Sequence, residues 1–190
     1  MSQQKTGNKQ IDLLREEVDG NPESAKLRLK LGTALIKAQK YTEAEKQLRR
    51  ALELDRACVG AWVNLGGILL GRFDFDGCVE ANRKAIVQQP DALLAHYNKG
   101  LGHLYLDQAQ DMVECFEKVV ELDPDNAGGR YHLAVGLHAL GRTHEAWQHY
   151  KRALDLGHAP QPDFIREMEK YEKKRNEGVS TVEMGPEAKE

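Results

Sequence analysis

The chain has 190 residues, of which 41% are apolar and 30% charged, and its formal net charge is −3. The near balance of 27 basic and 30 acidic residues argues against a general nucleic-acid binder, which concentrates positive charge against phosphates. No run approaches about 18 consecutive apolar residues, so we expect no membrane span. Residues 1–10 are polar and lack the apolar core of a secretory signal. Cysteines 58, 78 and 115 lack metal spacing and indicate reduced thiols in a cytoplasmic compartment.

A fixed period organises the chain, and the equal spacing of Gly32, Gly66 and Gly100 defines it. Apolar residues recur within each period at the three- and four-residue steps of amphipathic helices. Proline, glycine and other small residues recur at fixed places in the period, and this argues for a repeat array. These residues are Pro22, Pro90 and Pro124; Gly32, Gly66, Gly100 and Ala134; and Ala51, Ala85, Val119 and Ala153.

Each period predicts two helices, and no strand-like alternation competes with them. Helix breakers and capping residues such as Pro90, Pro124 and Gly141 separate the helices. The first helices of the four periods are predicted at residues 25–38, 59–72, 93–106 and 127–140. The second helices are predicted at residues 41–54, 76–88, 110–122 and 143–156.

The sequence resembles the tetratricopeptide repeat family. In the second period the match rests on Trp62, Leu65, Gly66, Leu69, Ala85 and Pro90. The resemblance implies an all-α fold, a right-handed superhelical α-solenoid of four helix pairs. The four repeats are residues 25–58, 59–92, 93–126 and 127–160. A departure such as Asn82, at a slot that is usually aromatic, puts local packing in question but not the fold.

The flanks of the repeats fit a solenoid with capped ends. Residues 9–24 are predicted to form an N-terminal half-unit, and residues 161–176 a capping helix whose Phe164 and Met168 share an apolar face. We expect disorder at residues 1–8 and in the acidic tail of residues 177–190.

The resemblance also implies a concave groove, lined by the first helices, that binds peptides in this family. The 24 positions that would face it contain three charged residues, all lysines: Lys26, Lys30 and Lys37. A solvated helix face would be richer in charge, so we interpret the groove as an apolar ligand channel with a basic end. Tight packing between neighbouring helices would explain several of its leucines equally well.

Asn64 and Asn98 occupy the same position in consecutive repeats, and His132 occupies it in the fourth. A side-chain amide both donates and accepts, so it can bind an extended peptide backbone. Asparagine at this position is also a frequent family residue without a ligand role, and the sequence leaves both readings open.

Gly60, Gly67 and Gly71 share one face of the first helix of the second repeat, and they predict a shallow pocket with Tyr97, Leu101 and Tyr105 as its wall. Tyr131 is expected to add contact area, because tyrosine is a favoured interface anchor. The glycines could instead mark a frayed helix or close packing by another segment, since glycine costs about 1 kcal/mol inside a helix.

No catalytic or metal motif is present. The histidine spacings do not place neighbouring members on one helix face, and no nucleophile has a local base partner. We therefore expect no cofactor, no metal and no enzymatic activity. The candidate peptide-binding residues are Lys26, Lys30, Lys37, Asn64, Gly67, Gly71, Tyr97, Asn98, Leu101, Tyr105, Tyr131 and His132.

The sequence thus predicts an interaction adaptor or scaffold that binds an extended protein segment with an acidic or C-terminal carboxylate end. Two alternatives stay open at this point. One is self-assembly, in which a terminal segment of one copy fills the groove of another. The other is a chaperone that holds an apolar client segment.

Overall fold

A computed structural model describes residues 2–183, with side chains described for residues 9–177. Within these residues the chain forms ten α-helices and no β-strand, which confirms the all-α prediction. None of the described helices is long and apolar enough to cross a membrane. The helices are α1 (Ser2–Gly20), α2 (Ala25–Lys37), α3 (Tyr41–Leu54), α4 (Val59–Gly71), α5 (Phe75–Gln88), α6 (Leu93–Tyr105), α7 (Ala109–Leu122), α8 (Ala127–Ala139), α9 (Thr143–Asp155) and α10 (Pro162–Glu183).

The bounds of α2 to α9 agree with the predicted ones to within one residue at each end. Side-chain caps fix several of these starts, because they satisfy backbone N–H groups that have no partner within the helix. Ser24 accepts a hydrogen bond from the Leu27 N–H at 3.3 Å, which starts α2. Asn126 accepts one from the Gly129 N–H at 2.9 Å, which starts α8.

The turn inside each helix pair contains one residue in the left-handed backbone region, at the same place in every period. Its φ angle is 60° at Gln39, 64° at Phe73, 55° at Asp107 and 76° at Gly141. Glycine adopts this conformation without strain, whereas a residue with a Cβ loses about 1–2 kcal/mol there. Phe73 is therefore an unusual choice for this turn, and its side chain is 79% exposed.

The chain divides into two compact units, residues 1–108 and residues 109–190. In the first unit, Ile11, Leu14 and Val18 of α1 are buried and belong to the same apolar core as Leu31 of α2. This is the packing that the predicted half-unit requires. The backbone of residues 2–8 continues α1, where the sequence predicted disorder.

In the second unit, Phe116 of α7, Leu133 and Leu137 of α8, and Met168 of α10 are fully buried. Burial of Met168 agrees with the predicted capping helix. The helix itself runs to Glu183, seven residues beyond the predicted end at residue 176. The rest of the predicted tail, residues 184–190, lies outside the described residues.

Small residues bring the two helices of a pair close together, as Gly66 shows. A Cβ at Gly66 would lie 2.8 Å from Cγ of Asn82, which is completely buried. The Asn82 amide donates to the Cys78 carbonyl at 2.8 Å, so this side chain has little room to move. Burial raises the pKa of the Cys78 thiol to about 11, which keeps it protonated and unreactive.

Candidate functional site

The first helices of the first unit share an outward side. Because α4 contacts both α2 and α6, the three helices form one surface. The opposite side of α4 packs inward through Ala61, Leu65 and Leu69, all buried. We call the outward surface the first-helix face. It carries Lys26, Lys30, Thr33, Lys37, Gly60, Val63, Asn64, Gly67, Gly71, Leu94, Tyr97, Asn98, Leu101 and Tyr105.

The two asparagines lie on this face with unused hydrogen-bonding capacity. Asn64 Nδ2 donates to Thr33 Oγ1 at 2.9 Å. The Thr33 hydroxyl donates its proton to the Leu29 carbonyl at 2.9 Å, so its oxygen acts as the acceptor in the hydrogen bond with Asn64. This fixes the orientation of the Asn64 amide, because only its NH₂ group can donate to Thr33. In the described part of the chain the Asn64 oxygen accepts no hydrogen bond, and the Asn98 side-chain amide makes none. One of the two amides predicted to bind a peptide backbone is therefore held in a fixed orientation by Thr33.

The predicted glycine pocket is open. A Cβ on Gly71 would have nothing within 4 Å, and one on Gly67 would meet only Asn98 Nδ2, at 3.8 Å. A Cβ on Gly60 would lie 3.1 Å from Cδ2 of Leu29, so close packing by α2 explains that glycine. No described segment packs against Gly67 or Gly71, and α4 stays helical to Gly71.

An open depression of about 410 Å³ lies beside Asn64. Leu29, Val63 and Leu94 line it, and Leu94 is 63% exposed. Asp91, in the loop before α6, also lines it and adds one negative charge at its edge. Asp91 was not predicted as a site residue, because it lies in a loop and outside the first helices.

Of the three residues predicted to form the wall of the glycine pocket, Tyr105 is held in place by aromatic stacking. The exposed ring of Tyr105 stacks on Phe75 of α5, with ring centroids 4.7 Å apart and planes 11° apart. Tyr97 and Leu101 are half-buried, and burial raises the pKa of the Tyr97 hydroxyl. Tyr105 therefore offers one ring face to solvent, at a fixed angle.

Lys26, Lys30 and Lys37 are all exposed along α2. With Thr33 they follow the spacing of one helical stripe. None of them takes part in an ion pair within the described residues, although many other basic side chains of the chain do, for example Arg50 with Glu23 at 2.9 Å. These ammonium groups are free to receive an external carboxylate.

The two predicted site residues in the second unit lie in a different environment. Tyr131 is only 8% exposed; its ring stacks on His158 at 4.4 Å and meets the edge of Phe164 at 5.6 Å. The Tyr131 hydroxyl accepts a hydrogen bond from the Gln161 N–H at 3.4 Å. Residues 158–164 thus cover this side of α8. Tyr131 therefore offers little of the contact area predicted for it, because residues 158–164, from the end of the fourth repeat into α10, pack over it.

His132 takes part in packing between α7 and α8. Its ring stacks on Phe116 with centroids 5.0 Å apart. Burial lowers the pKa of His132 to about 4, and the neighbouring His158 lowers it further. The imidazole is therefore neutral near pH 7 and does not continue the pair of asparagines as a third amide-like rung.

Comparison with known proteins agrees with this geometry. Two models described as tetratricopeptide repeat match the chain, one over residues 29–92 and the other over residues 93–126. The solved structure of Pseudomonas aeruginosa pilF superposes with a TM-score of 0.79 and 20% identity, over 94% of this chain and 82% of that one. A crystal structure of MamA gives a TM-score of 0.71 and 20% identity, over 77% and 85% of the two chains. These likenesses support an α-solenoid fold.

Among curated proteins, the tetratricopeptide repeat-containing protein trd-1 of Caenorhabditis elegans is 23% identical over 145 residues. The match covers 76% of this chain but only 19% of that protein. A match to the peroxisomal targeting signal receptor of Eremothecium gossypii, 25% identical over 112 residues, covers 59% of this chain and 20% of the receptor. The chain therefore spans about a fifth of the length of these relatives.

Proposed function

We propose that this chain, which belongs to the tetratricopeptide repeat family of protein-interaction scaffolds, binds an extended peptide segment along its first-helix face. One observation carries the proposal: two amides with unused hydrogen-bonding capacity lie beside a row of unpaired lysines, on a face that no described segment covers.

Each group has a separate role in the proposed complex. Lys26, Lys30 and Lys37 attract an acidic side chain or a C-terminal carboxylate. Asn64 and Asn98 hydrogen-bond the ligand backbone, which selects for an extended conformation and not for a particular side chain. The 410 Å³ depression takes one apolar side chain of the ligand against Leu29, Val63 and Leu94.

The second unit supplies an internal example of such binding. There the ring of Phe164 lies against Tyr131 and His138 on the corresponding side of α8, at 5.6 and 5.8 Å. This contact supports the idea that a first helix of this chain can accept an apolar side chain presented by another segment. In the first unit we assign that role to a partner protein.

A pool of random dodecamer peptides, half with free and half with amidated C-termini, tests the proposal. Peptides that wild type retains should be enriched in acidic or carboxylate ends. A Lys26/Lys30/Lys37→Gln variant should bind the selected peptides roughly tenfold more weakly, because each exposed ion pair is worth about 0.5 kcal/mol.

The matched control is a Lys9/Lys46/Lys173→Gln variant. It removes the same charge from exposed lysines that form no ion pair in the described part of the chain and lie outside the first-helix face. We expect this control to bind like wild type. Equal loss of affinity in both variants would show that net charge, and not the stripe on α2, attracts the peptide.

A further inference from the structure

A second cavity of the first unit is independent of the first-helix face. It lies between α3, α4 and α5, has a volume of about 560 Å³, and has the indole of Trp62 in its lining. We call it the Trp62 cavity. At about 100° per residue, Trp62 projects from the side of α4 opposite Asn64 and Gly67, so the two surfaces do not share side chains.

The floor of the Trp62 cavity is apolar and rigid. Leu52 and Leu65 are buried beneath it, while Val87 at its edge is 64% exposed. Trp62 Nε1–H donates to the Arg56 carbonyl at 2.9 Å, which fixes the indole plane. An exposed valine beside a held indole forms a surface on which a bulky apolar side chain can be buried.

The rim of this cavity is strongly basic. Four cationic side chains line it, with Glu53 as the single acidic one: Arg49, Arg56, Arg83 and Lys84. Arg49 pairs with Glu45 at 2.7 Å, and Glu80 pairs with Arg83 at 2.7 Å and more loosely with Lys84 at 3.4 Å. Glu53 is already engaged by Arg50 at 2.9 Å. Lys84 Nζ lies over the Trp62 ring, 4.7 Å from its centroid. The Arg56 guanidinium makes no hydrogen bond or ion pair within the described residues, so it is free to bind an anion.

A cavity in the second unit provides a comparison within the same chain. It is of similar size, about 570 Å³, but two basic side chains, Arg166 and Lys170, are matched there by Asp163 and Glu167. Both cations of the second cavity form ion pairs with these neighbours, so a cation without an ion pair in the described part of the chain, Arg56, distinguishes the Trp62 cavity.

We propose that the Trp62 cavity docks an acidic peptide segment that carries one bulky apolar side chain. The apolar side chain covers Trp62 and Val87. One flanking carboxylate pairs with the unpaired Arg56, and the other competes with Glu80 for Lys84, whose ion pair with Glu80 is loose at 3.4 Å. A small inorganic anion would leave the apolar floor exposed. A nucleic acid would require positive charge well beyond one cavity, whereas the chain has a net charge of −3.

Trp62 is itself the reporter for the test. The chain has two tryptophans, so a Trp147→Phe background leaves Trp62 as the only one. The probe is the peptide Asp-Glu-Phe-Glu-Asp with acetylated and amidated ends. We expect a saturable change in Trp62 emission that weakens when NaCl is raised from about 50 mM to about 500 mM.

Arg56→Gln with Lys84→Gln should weaken binding at least about fivefold, the sum of two exposed ion pairs. The control, Lys9→Gln with Lys46→Gln, removes the same charge away from the cavity and should bind like the parent. A probe with its acids replaced by Asn and Gln, and a probe with Phe replaced by Ala, should each bind more weakly.

Three outcomes would overturn the proposal: no saturable emission change up to about 1 mM probe, equal affinity of the rim variant and its control, or equal affinity of the acidic and amide probes. The Lys26/Lys30/Lys37→Gln variant should leave the Trp62 response unchanged. Failure of this docking site therefore says nothing against peptide binding on the first-helix face, and the converse also holds.

Discussion

The same side of the first helices is covered in the second unit and exposed in the first unit. In the second unit, Tyr131 is 8% exposed beneath His158 and Phe164, and its hydroxyl is hydrogen-bonded. In the first unit, Leu94 and Tyr105 are 63% and 58% exposed on the corresponding side. The repeat pattern is the same in both. The difference arises from residues 158–164, which pack on α8 within their own unit.

The side chains of the two surfaces also differ in how much of their hydrogen-bonding and charge capacity is already used within the protein. Rings that pack on one another line the covered surface, and the neutral His132 stands where the open surface has an asparagine. On the open surface, Asn64, Asn98 and the lysines of α2 keep hydrogen-bonding and charge capacity that the described protein does not use. Such unused capacity is the reason why we propose the first unit as the part of the chain that binds a ligand.

The largest expected effect on stability comes from Phe164, which packs over Tyr131 in the second unit. Phe164→Ala removes a ring that lies within 6 Å of Tyr131, His138 and Tyr150. We expect a loss of about 2–3 kcal/mol in the free energy of unfolding, measured by urea denaturation. Leu94→Ala in the first unit should cost less than about 0.5 kcal/mol, because Leu94 is exposed. Similar losses for the two variants would mean that the two surfaces do not differ as described.

Acid should weaken the second unit through His132. The pKa of this group is about 4 in the folded state and near 6.5 when unfolded. The unfolded chain therefore binds more protons between these values, and stability present above pH 6.5 is lost as the pH falls towards 4.

We expect His132 to contribute about 2 kcal/mol to this loss between pH 7 and pH 4, since partial exposure screens the effect. His132→Phe keeps a ring against Phe116 but cannot titrate. Urea denaturation at several pH values should show a shallower pH dependence for this variant than for wild type. An unchanged dependence would assign the acid sensitivity to other groups.

Adjacent glycines of α4 should respond with opposite sign. Gly66→Ala forces its methyl group against the buried Asn82, and we expect a loss of about 2 kcal/mol. Gly67→Ala meets no obstacle and should gain up to about 1 kcal/mol from helix propensity.

Peptide affinity is the second quantity to measure for the glycine-to-alanine variants of α4. If a ligand side chain lies over the glycines, Gly67→Ala and Gly71→Ala should weaken binding of a selected dodecamer while stabilising the protein. Two stabilised variants with unchanged affinity would rule out the glycine pocket.

The smallest expected effect concerns the turn before α5. Phe73→Gly relieves a left-handed backbone at φ 64° but loses the edge contact of Phe73 with Phe75, whose ring centroids are 6.2 Å apart. We expect a net gain of about 0.5 kcal/mol, measured by thermal denaturation. A net loss would mean that the aromatic contact outweighs the backbone strain.

Local periodicity was sufficient to predict the helices. The spacing of small and apolar residues places α3 at Tyr41–Leu54 without error, because side-chain contacts within a helix pair recur in every period. The positions of Asn64 and Gly67 on one face follow from the same spacing. The hydrogen bond from Asn64 to Thr33 does not, since it depends on how α2 and α4 are placed side by side.

The predictions that failed involve contacts outside the repeat. Burial of Tyr131 depends on Phe164, which belongs to α10 and has no place in the period. The Trp62 cavity was missed because Trp62 was interpreted only as a residue of the family motif. A signal was present in the sequence: Arg49 and Arg83 lie one period apart, which places basic side chains at the same point of consecutive second helices.

The central claim is that the first-helix face of the first unit is the ligand-binding surface, and asparagine side-chain amides report on it directly. A ¹⁵N-labelled sample would be titrated with the tightest-binding dodecamer from the random pool, and the side-chain NH₂ resonances followed. We predict that Asn64 and Asn98 shift in a saturable manner, while the buried Asn82 and the α8 capping residue Asn126 stay in place. Shifts at Asn126 with Asn64 and Asn98 unmoved would contradict the account.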